Sequence, residues 1–266
     1  MIRGAVADTG IAYRVDGPAD APVVVCINSL GTDHRMWDLQ LPAFAERFRV
    51  VRYDSCGHGM ADTRRGSVTL DVLGRDLVLL LDHLAIQRAH LCGSSLGGML
   101  TLWAAAQHPT RVNRAVVANS GAKIGTTEGW DARIAAVRRG GMPGVRELTL
   151  GKFFSEHFRS HHAGAVQRIA DILECVDPEG YIAACQALRD ADLRAIVSSI
   201  RTPTLIVAGE LDIATPPQLQ EQLHAAIPAS QLLVIAEAAH LSNIEQPDVF
   251  NDRVRGFLSA TAAKKE

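Results

Sequence analysis

The sequence predicts an α/β protein in which helices flank a mostly parallel central sheet. Short apolar runs alternate along the chain with segments of helical length, which is the pattern of repeated strand–helix units. Most of these runs are apolar at nearly every position, as expected for parallel strands that are covered on both faces. The chain has 266 residues, of which 47% are hydrophobic and 21% are charged. This length and composition suit one large domain with a substantial buried core.

The first predicted element is a β-hairpin. Residues 2–7 and 11–15 are its two strands, and Asp8, Thr9 and Gly10 between them are typical of a turn. The later strands are predicted from apolar runs at 23–27, 50–53, 90–92, 115–118, 205–208 and 232–235. Because these runs are nearly continuous in apolar residues, we assign them to buried parallel strands.

Amphipathic helices are predicted between the strands. In the first of them, leucines recur at helical spacing and fall on one face: Leu70, Leu73, Leu77, Leu80, Leu81 and Leu84. Thr69 suits the N-cap of this helix, and Asp71 places a negative charge in its first turn. Two further helices are predicted at about 217–227, ending before Pro228, and at about 247–258.

Residues 123–199 interrupt this alternation of strands and helices. The stretch contains no convincing strand, and glycine and proline separate pieces of helical length at about 130–139, 145–154, 163–175 and 181–187. We therefore expect a helical cap, or lid, at 123–199 that lies across the carboxyl edge of the sheet. The core domain is then built from residues 1–122 and 200–266.

Composition excludes several classes of function. The formal net charge is −2, so the chain has no basic surface suited to nucleic acid or to an anionic membrane. No apolar run reaches the length of a membrane span, and the first residues do not resemble a signal peptide. Five scattered cysteines include no C-x-x-C pair, which is typical of reduced thiols in a cytoplasmic protein. The sequence does not decide between a monomer and a homo-oligomer.

No pattern in the sequence calls for a cofactor or a metal ion. A G-x-G-x-x-G fingerprint does not follow the first buried strand, so we expect no dinucleotide site. The adjacent pair His161 and His162 lacks the carboxylate spacing of a zinc motif and better suits a solvated helix face. We expect chemistry by amino-acid side chains alone.

Residues 93–97, with the sequence Gly-Ser-Ser-Leu-Gly, match the G-x-S-x-G pattern of a nucleophilic serine. The pattern lies between a predicted strand and a predicted helix, which is the context it needs. A serine on such a tight turn has a strained backbone, and the residues two before and two after it are forced together. For Ser95 both crowded positions are glycine, whereas for Ser94 they would be cysteine and leucine. The spacing therefore favours Ser95 as the nucleophile.

A nucleophilic serine needs a base, and the base needs a carboxylate that orients it. Asp212 follows the strand at 205–208 and His240 follows the last strand, in the order Ser, Asp, His. Open α/β sheets place their sites at the carboxyl ends of strands, so we predict a triad of Ser95, His240 and Asp212. Two alternatives stay open: Asp212 could instead cap the helix that follows it, and Glu210 is a rival acid.

Acyl transfer also needs hydrogen-bond donors for the negative charge that develops on the carbonyl oxygen. We expect one donor from the backbone N–H of Leu96, which directly follows the serine. The second is the backbone N–H of Leu30, in the loop after the strand at 23–27. The alternative is that Leu30 and Gly31 form an ordinary turn. Trp37, shortly after this loop, suits either the wall of a pocket or the core.

The loop after the next strand contains Cys56 and His58. We interpret Cys56 as a packed loop cysteine rather than a reactive thiol. His58 is expected to fix the loop through hydrogen bonds rather than to transfer protons. Neither residue is assigned a catalytic role.

Together the G-x-S-x-G turn at 93–97, the predicted triad and the order of strands and helices resemble the α/β-hydrolase fold over essentially the whole chain. Within that superfamily the chain is similar to the 3-oxoadipate enol-lactonases of the β-ketoadipate pathway. The segments that carry this resemblance are 28–33 with Met36 and Trp37, 92–95, 187–194 and 240–245. Two positions depart from the family, since Ser94 stands in place of leucine and Cys56 in place of arginine. Neither has a role in the triad.

The resemblance implies cofactor-free hydrolysis of a lactone, from 3-oxoadipate enol-lactone to 3-oxoadipate, in the catabolism of aromatic compounds. The substrate carries a carboxylate, and we expect Trp130 and Arg133, one helical turn apart, to bind it. Trp37 is expected to contribute to the substrate pocket. The alternative for Trp130 and Arg133 is that the tryptophan packs in the core and the arginine lies on the surface. Other functions stay open: a general carboxylesterase, an acyl-homoserine-lactone hydrolase, or a non-enzymatic ligand-binding module on the same fold.

Overall fold

An eight-stranded sheet runs through the computed structural model, which describes residues 2–6, 9–64 and 66–260. The strands are β1 Ile2–Ala5, β2 Ala12–Asp16, β3 Val23–Ile27, β4 Arg49–Asp54, β5 Ala89–Ser94, β6 Val112–Ala118, β7 Thr204–Gly209 and β8 Ser230–Ile235. Their order in the sheet is β1-β2-β4-β3-β5-β6-β7-β8. Strand β2 pairs antiparallel with both β1 and β4, and every other pairing is parallel. The predicted mostly parallel sheet is confirmed.

The opening hairpin differs from its prediction at the turn. Strand β1 ends at Ala5 and β2 begins at Ala12, so both strands are shorter at that end than expected. Residues 7 and 8, which belong to the predicted first strand and turn, lie outside the described residues. Ile2 and Val15 are register partners, which establishes the antiparallel pairing.

Helices connect the strands and cover the sheet. They are α1 Leu41–Ala45, α2 Leu70–His83, α3 Leu96–Gln107, α4 Thr127–Gly140, α5 Arg146–Phe153, α6 Glu156–His161, α7 Ala163–Glu174, α8 Pro178–Asp190, α9 Pro217–Ala226, α10 Ser242–Glu245 and α11 Pro247–Ser259. The Thr69 side chain accepts a hydrogen bond from the Val72 amide and caps α2, as predicted. The sequence indicated a solvated helix face at His161 and His162 but gave no bounds for α6, a short helix with a single buried residue, Phe158.

The core lies on both sides of the sheet, and successive residues of a strand alternate between them. In β3, Val24 and Cys26 belong to the cluster that packs against α1 and α11. Val25 and Ile27 belong to the cluster that packs against α2, α3 and α9. Because neither face of the central strands meets solvent, their sequences are apolar at nearly every position.

Residues between β6 and β7 form the helices α4–α8, and no strand occurs between Thr127 and Asp190. This segment lies against loops at the carboxyl ends of the strands. The Asp177 amide donates to the Gly57 carbonyl (3.1 Å), and a side chain on Gly180 would overlap the Gly57 backbone. The Leu193 amide bonds to the Ala122 carbonyl (2.8 Å) where the chain returns to the sheet. The division into core and cap domains stays a prediction. Across the described part of the chain, no helix is long and apolar enough to cross a membrane.

Candidate active site

Ser95 lies on a sharp turn between β5 and α3. Its backbone is in the left-handed region, with φ 55° and ψ −112°. Two hydrogen bonds hold this strained residue in place, from the Ser95 amide to the Ala118 carbonyl (2.9 Å) and from the Ser120 hydroxyl to the Ser95 carbonyl (2.7 Å). A β-carbon on Gly93 would overlap the Gly97 carbonyl, so the crowding expected from the G-x-S-x-G spacing is present.

Gly97 is needed for a second reason that the sequence does not reveal. A β-carbon there would overlap the carbonyl of Ile27 at the end of β3. The Gly97 amide donates to the Asn28 carbonyl (3.1 Å), which joins the serine turn to the loop after β3. The two segments predicted to supply oxyanion donors are therefore fixed to each other through backbone contacts.

The Asp212 carboxylate lies beside the His240 ring. The His240 Nδ1 atom is 2.8 Å from the Asp212 Oδ2 atom, and both side chains are almost fully buried. Backbone amides of Ala214 and Thr215 donate to Oδ1 (2.8 and 2.9 Å), and the Thr215 hydroxyl donates to Oδ2 (2.7 Å). Burial would raise the pKa of Asp212, but the charge and hydrogen bond of His240, together with Thr215, hold it below its ordinary value. Asp212 is thus a buried carboxylate anion that orients His240.

The rival acid, Glu210, has another partner. It is exposed, and its carboxylate accepts a hydrogen bond from the Glu237 amide (3.0 Å). The helix-cap alternative for Asp212 is not realised either, because Pro216 occupies the N-cap position of α9. The hydrogen bonds of Asp212 to residues 214 and 215 instead shape the loop that presents it to His240.

Asn119 supports the acid from the end of β6, a role that sequence reasoning missed. Its side-chain amide donates to Asp212 Oδ2 (3.0 Å) and to the Ala239 carbonyl (3.2 Å), while its Oδ1 accepts from the Ser242 hydroxyl (2.6 Å). Asn119 also has a positive φ of 48°, which asparagine tolerates better than most residues. One side chain therefore connects the loops that present Asp212 and His240.

Ser95 and His240 line the same cavity, whose volume is about 230 Å³. Its wall also includes Leu30 from the loop after β3 and residues of α4 and α5. Phe153 of α5 stacks on the His240 ring, with centroids 5.8 Å apart and an interplanar angle of 18°. The structure therefore brings the predicted nucleophile and the predicted base to the wall of one cavity.

The amide of Leu30 is available to a ligand, whereas those of its neighbours are engaged. The Ser29 amide donates to the Met36 sulfur (3.3 Å), and the Gly31 amide donates to His58 Nε2 (3.1 Å). The Leu30 amide has no acceptor among residues 2–6, 9–64 and 66–260. This pattern supports the predicted oxyanion donor, because a free amide in a cavity wall is what the role requires.

On the serine side, Leu96 begins α3, so its amide has no partner within the helix. The next amide, that of Gly97, bonds to Asn28. Asn28 is itself fixed, since its Nδ2 donates to the Tyr53 carbonyl (2.7 Å). The oxyanion role of Leu30 and Leu96 stays a prediction, and the fixed backbone around both amides supports it.

His58 is a neutral imidazole that holds the loop after β3, which contains Leu30 and Gly31. Its Nε2 accepts from the Gly31 amide, so its proton is on Nδ1, which donates to the Cys56 carbonyl (3.0 Å). Burial lowers the pKa of His58 below its ordinary value, which keeps this arrangement intact as the pH falls. Cys56 is packed in the same loop, where its sulfur accepts from the Arg64 amide (3.0 Å) and burial raises the pKa of its thiol. These contacts agree with structural roles for both residues.

The prediction that Trp37 contributes to the substrate pocket is wrong. Trp37 is fully buried and is not part of the cavity wall. Its Nε1 donates to Asn28 Oδ1 (3.0 Å), and its ring packs beside Phe250 of α11. The short 3₁₀ helix His34–Trp37 directs this side chain into the core because α11 covers that side of the sheet.

Trp130 and Arg133 of α4 both line the cavity, as the substrate-binding prediction requires. Trp130 is anchored by a hydrogen bond from its Nε1 to the Ile124 carbonyl (2.7 Å). The Arg133 guanidinium lies 6.0 Å from the Trp130 ring centroid and 5.7 Å from that of Tyr181, and it donates to the Thr149 hydroxyl. Arg133 forms no ion pair with any carboxylate in the described part of the chain.

Lys152 of α5 is a second cation in the cavity wall, and no sequence signal singled it out. It is half-buried, and burial followed by the nearby charge of Arg133 lowers its pKa. Like Arg133, it pairs with no carboxylate among the residues described. An apolar cavity whose two cations form no ion pair with any described carboxylate favours an anionic ligand.

Glu245 connects the His240 loop to the helical segment between β6 and β7. Its Oε1 accepts from the amides of Ala239 (3.1 Å) and Ser155 (3.0 Å), and its Oε2 accepts from the Ser155 hydroxyl (2.7 Å). The Leu241 amide adds a bond to the Phe153 carbonyl (3.0 Å). The residue that stacks on His240 is therefore attached to the same loop as His240 itself.

Of the described side chains, Asp33, His34 and Asp54 form one group whose potential metal-ligand atoms lie within 4.8 Å of one another. Each carboxylate already accepts hydrogen bonds. Asp33 pairs with the Arg35 guanidinium, and Asp54 accepts from the His34 amide (2.7 Å) and the Met60 amide (3.1 Å). We assign this group to bracing the loops after β3 and β4.

Comparison with known proteins agrees with this geometry. The α/β hydrolase fold family matches residues 22–247. The chain thus belongs to the α/β-hydrolase fold family, whose sheet order and serine turn are described above. Within it, the chain is 40% identical over 250 residues to 3-oxoadipate enol-lactonase 1 of Acinetobacter baylyi, covering 94% of this chain and 93% of that protein. For 3-oxoadipate enol-lactonase 2 of the same organism, identity is 37% and coverage is 94% of both chains.

A solved structure extends the likeness to three dimensions. The enol-lactonase from Burkholderia xenovorans LB400 superimposes with a TM-score of 0.95 at 36% identity, covering 97% of this chain and 100% of that one. The resemblance predicted from the sequence motifs is confirmed.

Proposed function

We propose that this chain is a serine hydrolase that opens a small acidic enol-lactone, converting 3-oxoadipate enol-lactone to 3-oxoadipate. One observation carries the proposal: a single cavity is lined by Ser95 and His240 and also by two cations, Arg133 and Lys152, that pair with no carboxylate among the described residues. The names of the two Acinetobacter baylyi relatives support the same substrate, and that of the solved Burkholderia xenovorans structure supports an enol-lactone.

Acylation begins with attack of the Ser95 hydroxyl on the ring carbonyl carbon. His240 Nε2 takes the serine proton, and Asp212 holds the ring in the tautomer that can accept it. The carbonyl oxygen becomes an oxyanion, which the Leu30 and Leu96 amides stabilise. These amides stabilise the transition state more than the substrate, because the carbonyl oxygen gains negative charge as the serine attacks.

Collapse of this intermediate breaks the ring C–O bond. The leaving oxygen is an enolate, a better leaving group than a simple alkoxide, and protonation by His240 leads through the enol to a ketone. Water then attacks the acyl-enzyme ester with His240 as base, and Ser95 leaves with the returned proton. Each turnover consumes one water and releases a keto acid with two carboxylates.

The cavity suits a small anionic substrate. Its volume of about 230 Å³ is below the usual range for drug-sized ligands, which begins at about 300 Å³. Arg133 donates in a planar array that matches a carboxylate, and Lys152 adds a point charge. A neutral ester would bury these cations without compensation, so we expect selectivity for the acid.

Substrate preference tests the proposal. We expect kcat/KM for 3-oxoadipate enol-lactone, followed by ultraviolet absorbance, to exceed that for p-nitrophenyl acetate by at least about 100-fold, as one charge-assisted contact can supply. An acyl-homoserine lactone is the matched neutral lactone. Preference for the neutral ester or lactone would identify a general carboxylesterase or an acyl-homoserine-lactone hydrolase instead. A single slow turnover with all three would indicate a binding module.

The cation Arg133 has its own test. Arg133→Met should raise KM for the acidic lactone by about 10- to 100-fold, because a charged hydrogen bond worth about 1.5–3 kcal/mol is lost. The KM for p-nitrophenyl acetate should change by less than about threefold. Arg138→Met is the matched control, since Arg138 is exposed on the same helix and lies outside the cavity wall. Equal effects of Arg133→Met on both substrates would show that Arg133 supports the structure only.

A further inference from the structure

Ser29, a residue of the cavity wall, carries a buried hydroxyl that no step above uses. Ser29 is 2% exposed, and its Oγ has no hydrogen-bond partner among the described residues. It lines the same cavity as Ser95 and His240. Leaving a buried hydroxyl without a partner costs about 1–3 kcal/mol, so such a group calls for an explanation.

The backbone of Ser29 is fully engaged, which fixes where its side chain starts. Its amide donates to the Met36 sulfur (3.3 Å). Its carbonyl accepts from the Thr32 amide (3.2 Å) and the Thr32 hydroxyl (2.8 Å). The hydroxyl is therefore the one polar group of this residue still available to a ligand.

The residue next in the chain is Leu30, whose free amide is the proposed donor on this side of the cavity. Two consecutive residues of the cavity wall thus carry a hydroxyl and an amide without partners among the described residues, on a loop that the Gly97–Asn28 bond joins to the serine turn. Donors that are positioned and unpaired before the reaction are the arrangement that stabilises a developing oxyanion.

We propose that the Ser29 hydroxyl is a third donor to the oxyanion of both tetrahedral intermediates. The inference rests on the proposed serine hydrolysis. The Ser29 hydroxyl donates a hydrogen bond to the negative oxygen and keeps its proton throughout. The bonding changes already described are therefore unaltered. This hydrogen bond is strongest when the oxygen carries a full negative charge. Its loss should therefore lower kcat rather than raise KM.

Ser94 provides a matched control. Its hydroxyl is equally buried, at 1% exposed for the residue, and it also lacks a partner among the described residues. Ser94 does not line the cavity, although it is adjacent to the nucleophile. A general effect of removing a buried hydroxyl would therefore appear in Ser94→Ala as well as in Ser29→Ala.

We expect Ser29→Ala to lower kcat by about 10- to 100-fold for both the enol-lactone and p-nitrophenyl acetate, with KM within about twofold. Ser94→Ala should leave both constants within about threefold of wild type. A trifluoromethyl ketone that adds to Ser95 as a tetrahedral anion should bind Ser29→Ala more weakly, by about the factor lost from kcat. Thermal unfolding of both variants shows whether the fold is retained.

Three results would overturn the inference: unchanged kcat in Ser29→Ala, a rise in KM alone, or equal losses in the two alanine variants. If Ser29→Ala unfolds, unaltered ketone affinity in Ser29→Thr, which keeps the hydroxyl, supports the proposal, and a loss there opposes it. The ester measurement separates this inference from the substrate proposal. A wild-type enzyme that prefers the ester refutes the enol-lactone assignment and still permits the Ser29 comparison.

Discussion

Replacing Ser95 with alanine should lower kcat for the enol-lactone and for p-nitrophenyl acetate by about 10⁴-fold or more. The variant keeps the cavity, the cations and the oxyanion amides, but it lacks the oxygen that forms the acyl-enzyme. Direct attack by water is much slower, because His240 would have to activate and position it without a covalent intermediate. The decisive measurement is steady-state hydrolysis together with mass spectrometry of the enzyme after brief mixing with an activated ester, which should detect an acyl adduct in wild type alone.

The fold should survive this change. Alanine carries the same β-carbon as serine, so the strain at φ 55° is unaltered, and the backbone bonds to Ala118 and Ser120 remain. We expect the melting temperature to shift by no more than a few degrees. Activity in Ser95→Ala within tenfold of wild type would refute the mechanism and direct attention to Ser94 or Cys56. Ser94→Ala is the matched variant, with activity expected near wild type.

Much of the fold could be predicted because its strands are buried on both faces. Strands β5 and β7 are buried along their whole lengths, so their apolar runs stand out from the loops. The leucine face of α2 shows helical periodicity for a related reason, since one side of the helix meets the core. The bounds of helix α6 were not predicted, because six residues with one buried side chain have too little periodicity to detect.

The candidate triad could be predicted because chain order and strand ends constrain it strongly. Asp212 and His240 each follow a strand of the parallel sheet, and parallel strands end at a common edge. Asn119 also follows a strand, at the end of β6, but the order Ser, Asp, His assigns no role to an amide side chain there. Lys152 lies on helix α5, where no strand end constrains its neighbours. Trp37 was misplaced because its orientation depends on packing against α11, which lies far along the chain. Local sequence does not encode such long-range contacts.

Replacing Asp212 with asparagine should lower kcat by about 10⁴-fold for both substrates. In the native site every group around the carboxylate is a donor: two backbone amides face Oδ1, and Thr215, Asn119 and His240 face Oδ2. If the asparagine oxygen accepts from the two amides, its own NH₂ faces His240 Nδ1. The ring then accepts there and carries its proton on Nε2, so it cannot take the proton of Ser95.

The same crowding of donors should also weaken the fold. An NH₂ group facing Thr215 and Asn119 leaves buried donors without acceptors, so we expect a loss of about 1–3 kcal/mol in the free energy of unfolding, measured with urea. Glu210→Gln is the matched variant, because Glu210 is the other acid of the same loop and its carboxylate accepts a hydrogen bond from the exposed Glu237 amide rather than from His240. It should keep kcat within about twofold, since its charge orients no catalytic group. Comparable losses in the two variants would mean that loop conformation, rather than the tautomer of His240, depends on these carboxylates. A loss confined to Asp212→Asn, with Ser95 no longer acylated by an activated ester, would locate the defect in the first proton transfer.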